Sequence, residues 1–289
     1  MNTKPGSVDS VALVIGSGSV KCAAALGVMR VLKRAGIGID LVVGCSGGSI
    51  YAAFIALGRD VEESVEMTLR MWTRDITSKR KPGVLLKILF PRLFKFDETF
   101  GMVDDRMVLA RFREAYGDAR IEGTRIPLFI TATDFYNGEQ VVLREGSIVD
   151  AIRGSIAMPY IFSPHRVGDR LVTDGYLSDP MPVGVAMKEG ANAIVAVGFE
   201  SPYQTHISSV LRFSFQLSSI ASNNLLKSNF AFHNLAHHGE VFPIIPQFAD
   251  QIRLFDTDKL PAVIAAGERA AEEQLPFLAR AGQRGELTP

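Results

Sequence analysis

The chain carries a serine set between glycines, Gly44-Cys45-Ser46-Gly47-Gly48, directly after the apolar run "LVV" and before "SIYAAFIALG". A G-x-S-x-G pattern at a strand-to-helix turn is the arrangement that lifts a serine hydroxyl into a cleft as a nucleophile. The free hydroxyl is a weak nucleophile. It needs a base within hydrogen-bond reach, and donors for the oxyanion that forms when it attacks a carbonyl. The chemistry on offer is therefore acyl transfer, with Gly44 and Gly48 as the small flanks of Ser46.

Two kinds of base are available. The usual one is histidine, and the chain has five: His165, His206, His233, His237 and His238. None sits in a recognisable hydrolase context. The pair His237-His238 has no acid at metal-ligand spacing, so no metal is expected. The other candidate is Asp174 in "RLVTDGYLSDPMPV". "RLVT" reads as a strand and Asp174-Gly175 ends it, which places the carboxylate at a strand end, where α/β sites gather. The plain alternative is an Asp-Gly turn.

The oxyanion donors are sought in "VIGSGSVKC", a glycine-rich turn after the first apolar run. Such a turn into a helix presents backbone N–H groups and the positive end of the helix dipole. The loop departs from the phosphate-binding G-x-x-x-x-G-K-[ST] pattern, because Val20 precedes Lys21 and Cys22 follows it. It departs from G-x-G-x-x-G because Lys21 stands at the third glycine. An oxyanion needs only small residues with inward N–H groups, which Gly16, Ser17, Gly18 and Ser19 supply. A tight turn with no ligand is the alternative.

The elements that must hold these residues alternate. "VALVIG" (11–16) and "DLVVG" (40–44) read as buried strands, with helices over 20–35 and 46–57. Further strands are expected at 126–134, 139–145, 191–199 and 240–246. Further helices are expected at 60–73, 104–116, 147–155, 182–189, 207–228 and 258–280. Strand–helix–strand–helix order specifies a parallel sheet covered by helices. No repeat or linker divides the chain, so one domain is expected over 11–289 behind a disordered segment, 1–10.

Bulk properties narrow the setting. Of the 289 residues 47% are apolar, enough for a substantial core, and 31 basic residues balance 31 acidic ones, so no charge field points to nucleic acid. Two cysteines, no apolar leader and no membrane-length apolar run indicate a cytoplasmic protein. The segment "KRKPGVLLKILFPRLFKF" (79–96) mixes apolar and basic residues without an acid. It reads as a lid, as an amphipathic contact with the inner face of the membrane, or as an ordinary packed surface segment. With the Phe- and Leu-rich stretch 213–232 it is also a candidate lining for an acyl channel. The oligomeric state has no signature here.

The glycine loop, the G-x-S-x-G turn and the later Asp-Gly occur in an order that resembles the patatin-like phospholipases, particularly the small bacterial members. The family pattern is a G-G-G-x-[RK]-G-type loop, a G-x-S-x-G turn and D-G-[GA]; here they read "GSGSVKC", "GCSGG" and "DGY". The stretches 153–183 and 254–276 also look like the family, and the resemblance covers most of 11–276. It implies a three-layer α/β/α sandwich with a mostly parallel central sheet. It implies a Ser46–Asp174 dyad without histidine, an oxyanion loop on Gly16 to Ser19 with Gly18 and Ser19 as donors, and Lys21 at the basic position. It implies a lipid or fatty-acyl ester substrate, and neither cofactor nor metal. Ser17, Ser19, Cys22 and Tyr176 depart from the pattern, and Tyr176 puts a bulky ring beside the base. The expected activity is a serine lipid acyl hydrolase. The competing expectations are an acyltransferase with the same dyad, a histidine-based serine hydrolase, and a lipid-binding or regulatory module with weak turnover.

Overall fold

A computed structural model describes residues 10–71, 73, 81, 83–93, 96–236, 240–250, 252 and 256–284. The expected disordered start falls almost wholly on residues 1–9, outside the described residues, as do residues 79, 80, 82, 94 and 95 of the basic segment.

The apolar runs form strands where the sequence predicts them. In chain order the elements are β1 (Val11–Ile15), α1 (Ala24–Arg34), β2 (Leu41–Cys45), α2 (Gly47–Ala56), α3 (Val61–Met71), α4 (Val84–Leu89) and α5 (Arg106–Tyr116). There follow β3 (Leu128–Asp134), β4 (Gln140–Leu143), α6 (Ile148–Ser155), β5 (His165–Val167), β6 (Arg170–Asp174), α7 (Val183–Lys188) and β7 (Ala193–Val197). The chain closes with α8 (Val210–Ala236), β8 (Glu240–Ile244) and α9 (Leu260–Arg284). Three details differ from the periodicity: α8 runs on to Ala236, eight residues past the expected end at 228, and two others arise at turns. The first helix opens as a tight 3₁₀ turn, Ser19–Ala23, because the loop before it must fold back onto the sheet. The unexpected β5 exists because Gly168, at φ 61°, lets a two-residue turn return the chain from Val167 to Arg170.

The strands described build one eight-stranded sheet in the order β5-β6-β3-β2-β1-β7-β8, with β4 also on β3. From β3 through β2, β1 and β7 to β8 every pairing is parallel, and β4, β5 and β6 add antiparallel pairings. Thus the mostly parallel α/β/α sandwich is the fold. Alternation along β1 sorts the core: Leu13 and Ile15 join the larger cluster with α1, α2 and α9, whereas Ala12 and Val14 face α7 and Leu226 of α8.

Helix α2 is buried along its whole length, which explains why its sequence is apolar all round. Helices α1 and α9 meet backbone to backbone. A Cβ on Gly27 would fall 2.0 Å from the Ile264 carbonyl oxygen, and one on Gly267 would fall 2.0 Å from that of Ala24. Arg34 then reaches Glu268 at 3.0 Å and Glu272 at 2.8 Å along the rim of this contact. Among the described residues, no helix is long and apolar enough to cross a membrane.

Candidate active site

Residue Ser46 follows the last residue of β2 and precedes the first of α2, with φ 52° and ψ −128°. That conformation is costly for a residue with a side chain, and it aims the hydroxyl off the end of the sheet. Tight packing of α2 against the sheet holds it there. A Cβ on Gly48 would lie 2.2 Å from the Ile15 carbonyl oxygen, and one on Gly44 would lie 2.6 Å from Ser49 Cα. The flanking glycines are therefore spatial requirements of the turn. Ser49 completes it by donating its hydroxyl to the Ser46 carbonyl at 2.6 Å.

Residue Ser155, at the end of α6, fixes the turn from the other side. Its fully buried hydroxyl accepts the Ser46 N–H at 2.8 Å and donates to the Thr131 carbonyl at 2.7 Å. In the sequence Ser155 has no task of its own: it reads only as a small polar residue at the end of a helix, within the family-like stretch 153–183.

The Ser46 hydroxyl donates to Asp174 Oδ2 at 2.9 Å, across 128 residues of sequence. Asp174 is the last residue of β6 and is 1% exposed. Its Oδ1 accepts the Tyr176 N–H at 3.1 Å, and Gly175 opens the 3₁₀ turn that supplies this amide. No cation pairs with this carboxylate among the described residues. Burial consequently raises its pKa to about 7, against the smaller opposing pull of the Tyr176 N–H and the Ser46 hydroxyl.

The glycine loop lies beside the turn: a Cβ on Gly47 would be 2.9 Å from Ser19 Cα. Gly16 donates its N–H to the Val197 carbonyl at 2.9 Å and Ser17 donates to that of Pro180 at 2.8 Å. These two residues stitch the loop to β7 and to the segment after Asp174. The Gly18 N–H has no hydrogen-bond partner among the described residues, and Ser19 follows at φ 54°. Lys21 Nζ donates to the Glu200 carbonyl at 2.7 Å and lies 5.9 Å from the Phe199 ring centre. Burial lowers its pKa. It anchors the loop from outside. The Cys22 thiol donates to the Gly16 carbonyl at 3.3 Å, and burial raises its pKa. The small residue there thus braces the loop. Tyr176 is half-buried beside Asp174, and burial pushes its phenol to about 12.

Neither Ser46 nor Asp174 hydrogen-bonds a histidine among the described residues. His165 Nε2 instead lies 3.2 Å from Asp150, and the carbonyl of His206 accepts from Arg212 at 3.2 Å. The pair His237-His238 lies outside the described residues. In the stretch 213–232, Phe213, Leu217 and Ile220 lie on the outer surface, whereas Leu226 is buried against the sheet.

Residues 13–187 match the family model described as patatin-like phospholipase. An uncharacterized NTE family protein of Mycobacterium tuberculosis is 30% identical over 197 residues, 68% of this chain and 51% of that protein. Human patatin-like phospholipase domain-containing protein 6 is 27% identical over 203 residues, 69% of this chain and 14% of that protein. The chain thus spans about half the length of the mycobacterial relative and a small part of the human one. Among solved structures, VipD from Legionella pneumophila aligns over 94% of this chain and 67% of its own, at 12% identity and a TM-score of 0.46. The type III effector ExoU aligns over 98% of this chain and 55% of its own, at 16% identity and a TM-score of 0.42.

Proposed function

The chain belongs to the patatin-like phospholipase family, and from that premise we propose that it is a serine lipid acyl hydrolase with Ser46 as nucleophile and Asp174 as its base. The observation that carries the reading is the 2.9 Å hydrogen bond from the Ser46 hydroxyl to a buried carboxylate that no cation pairs with among the described residues. An ordinary aspartate titrates near ~4 and is a poor proton acceptor. Desolvation brings Asp174 to about 7, where it both accepts and returns a proton near neutral pH.

In the proposed reaction Ser46 Oγ bonds to the ester carbonyl carbon while its proton passes to Asp174 Oδ2. The oxyanion meets the N–H groups of Gly18 and Ser19, each such donor being worth roughly 3 kcal/mol. The carbonyl re-forms, the C–O bond to the alcohol breaks, and Asp174 returns the proton to that leaving oxygen. Water then attacks the acyl-serine, giving its proton to Asp174. Breaking the Ser46–acyl bond releases the fatty acid, and Ser46 recovers the proton. Tyr176, the departure from the family pattern nearest the base, reaches Asp174 through its backbone N–H.

The test is fatty-acid release from mixed phospholipid vesicles and from a short-chain p-nitrophenyl ester, by wild type, Ser46→Ala and Asp174→Asn. Turnover by wild type with both variants at background is expected. Equal rates in all three, or none in any, would return the chain to the lipid-binding reading.

A further inference from the structure

Helix α8 packs Phe215, Leu226 and Phe230 against the core, yet carries a second apolar stripe on its outer side. A helix on a water-facing surface turns its apolar stripe inward. Here the inner face carries Ser219, Ser222 and Asn223, all buried, and the outer face carries Val210 at 84% exposure with Phe213, Leu217 and Ile220 at 40% or more. The polar side is committed. Ser219 Oγ donates to the Pro202 carbonyl at 3.0 Å, and Asn223 both donates to and accepts from the Ser201 backbone, at 3.0 and 2.9 Å. Asn229 Nδ2 donates to Asp179 Oδ1 at 2.9 Å. Rolling the helix to hide its apolar stripe would break all of these, so the fold itself presents that stripe to the outside.

The segment itself carries no acid. From Ser201 to Gly239 the sequence holds no Asp or Glu, and Arg212 and Lys227 are exposed along α8. A second apolar surface lies around α4, where Leu89, Phe90 and Leu93 are more than half exposed beside Arg92 and Lys87 pairs with Asp97 at 3.7 Å. Both surfaces lead to the dyad. Asn229 holds Asp179, five residues beyond Asp174, and the Ser218 hydroxyl of α8 faces the Tyr176 phenol. The strap after α4 joins the same region through the Met102 N–H, which donates to the Tyr160 carbonyl at 3.0 Å.

We propose that the outer face of α8, with the exposed α4 segment, docks on an anionic lipid bilayer and brings the base-bearing loop to the lipid surface. Outward apolar side chains flanked by basic ones are what the boundary between acyl chains and anionic headgroups accepts. A second copy of the chain fits less well, since pairing this face with itself would set Arg212 and Lys227 against their own like charges. The inference extends the hydrolase reading by naming how the site meets its substrate, and its test does not depend on turnover.

The experiment measures co-sedimentation of the Ser46→Ala chain with phosphatidylcholine vesicles, with and without phosphatidylglycerol. It is repeated with Phe213→Ser/Leu217→Ser and with Arg212→Glu/Lys227→Glu in the same background. Binding to the anionic vesicles is expected, weakened about tenfold for each apolar side chain removed. The charge reversal should lose the preference for phosphatidylglycerol. The apolar double variant with Ser46 intact should keep the wild-type rate on a soluble short-chain ester, which shows that it folds. Parent and both double variants binding alike, or a parent that binds no vesicle, overturns the proposal. So does a dimer that the Ser substitutions dissociate in sedimentation velocity without any vesicle binding, because the face then belongs to a second copy. Absence of wild-type turnover with vesicle binding intact would count against the hydrolase reading alone.

Discussion

Cys45 and Asp174 are paired with consecutive residues of one strand. Cys45, the last residue of β2, is in register with Thr131 of β3, and Asp174, the last residue of β6, is in register with Ala132. β4 pairs with Ile130 to Thr133 and so takes the opposite edge of β3. It follows that β2, running parallel to β3, and β6, running antiparallel, lie end to end along one edge. Their C-terminal ends point at each other. Ser46 and Asp174 are what stand at that junction, which is why two residues 128 positions apart come within 2.9 Å.

If the dyad carries the chemistry, kcat/KM on a soluble ester rises with pH through an apparent pKa of about 7, the value to which burial raises Asp174. The base is needed deprotonated, so activity is lost on the acid side. Ser46→Ala and Asp174→Asn each cost a factor on the order of 10³ or more in kcat. A pH profile flat between 5 and 8 would rule out Asp174 as the base.

The same burial has a price in stability. The folded chain keeps a proton on Asp174 up to about 7, while the unfolded chain releases it near 3.8. Between those values the folded state holds the extra proton, so the contribution of this group is full below 3.8 and declines as pH rises through 7. The difference amounts to about 4 kcal/mol at most. Asp174→Asn removes it. The wild type should lose Tm between pH 5 and pH 8 relative to the variant, and parallel Tm curves would refute the desolvated carboxylate.

Removing the Ser155 hydroxyl leaves the Ser46 N–H buried without its acceptor, at a cost of about 1–3 kcal/mol. Ser155→Ala is therefore expected to lower Tm and to reduce kcat roughly tenfold or more with little change in KM, since a misplaced nucleophile loses reactivity rather than binding. Ser155→Thr, which keeps the hydroxyl, should recover part of the rate. Unchanged kcat in the alanine variant would reduce Ser155 to a packing residue.

His165→Ala is expected to keep most of the activity, because its ring lies on Asp150 rather than on the dyad. A loss comparable to that of Ser46→Ala, measured on folded protein, would revive a histidine-based mechanism.

Gly267→Ala places a Cβ 2.0 Å from the Ala24 carbonyl, a backbone atom that cannot swing aside. The contact between α1 and α9 must open, for roughly 1–3 kcal/mol. Thermal unfolding should show a lower Tm, while the specific activity of the folded fraction stays near wild type.

The sequence by itself determined much of this molecule. Apolar runs closed by glycine specified β1 and β2, helical periodicity specified α1, α5 and α6, and their alternation specified a mostly parallel sheet, because these signals are local and repeat every two or 3.6 residues. Ser46 was legible because its strand-to-helix turn lies in one short stretch. Its base was less so: the strand end favoured Asp174 over the five histidines, but an Asp-Gly turn remained open until the resemblance, since a base is chosen by distance and no spacing encodes the meeting of β2 and β6 on one edge of β3. Tertiary structure alone decided three further things. It gave Ser155 its grip on the Ser46 amide, through one hydrogen bond to the turn after β2 and another to Thr131 of β3. It raised the Asp174 pKa, because desolvation depends on what surrounds the carboxylate in space. And it turned one apolar stripe of α8 outward, where core packing is the plainer reading of each Phe and Leu, because only the committed bonds of Ser219, Asn223 and Asn229 show which face is held inside.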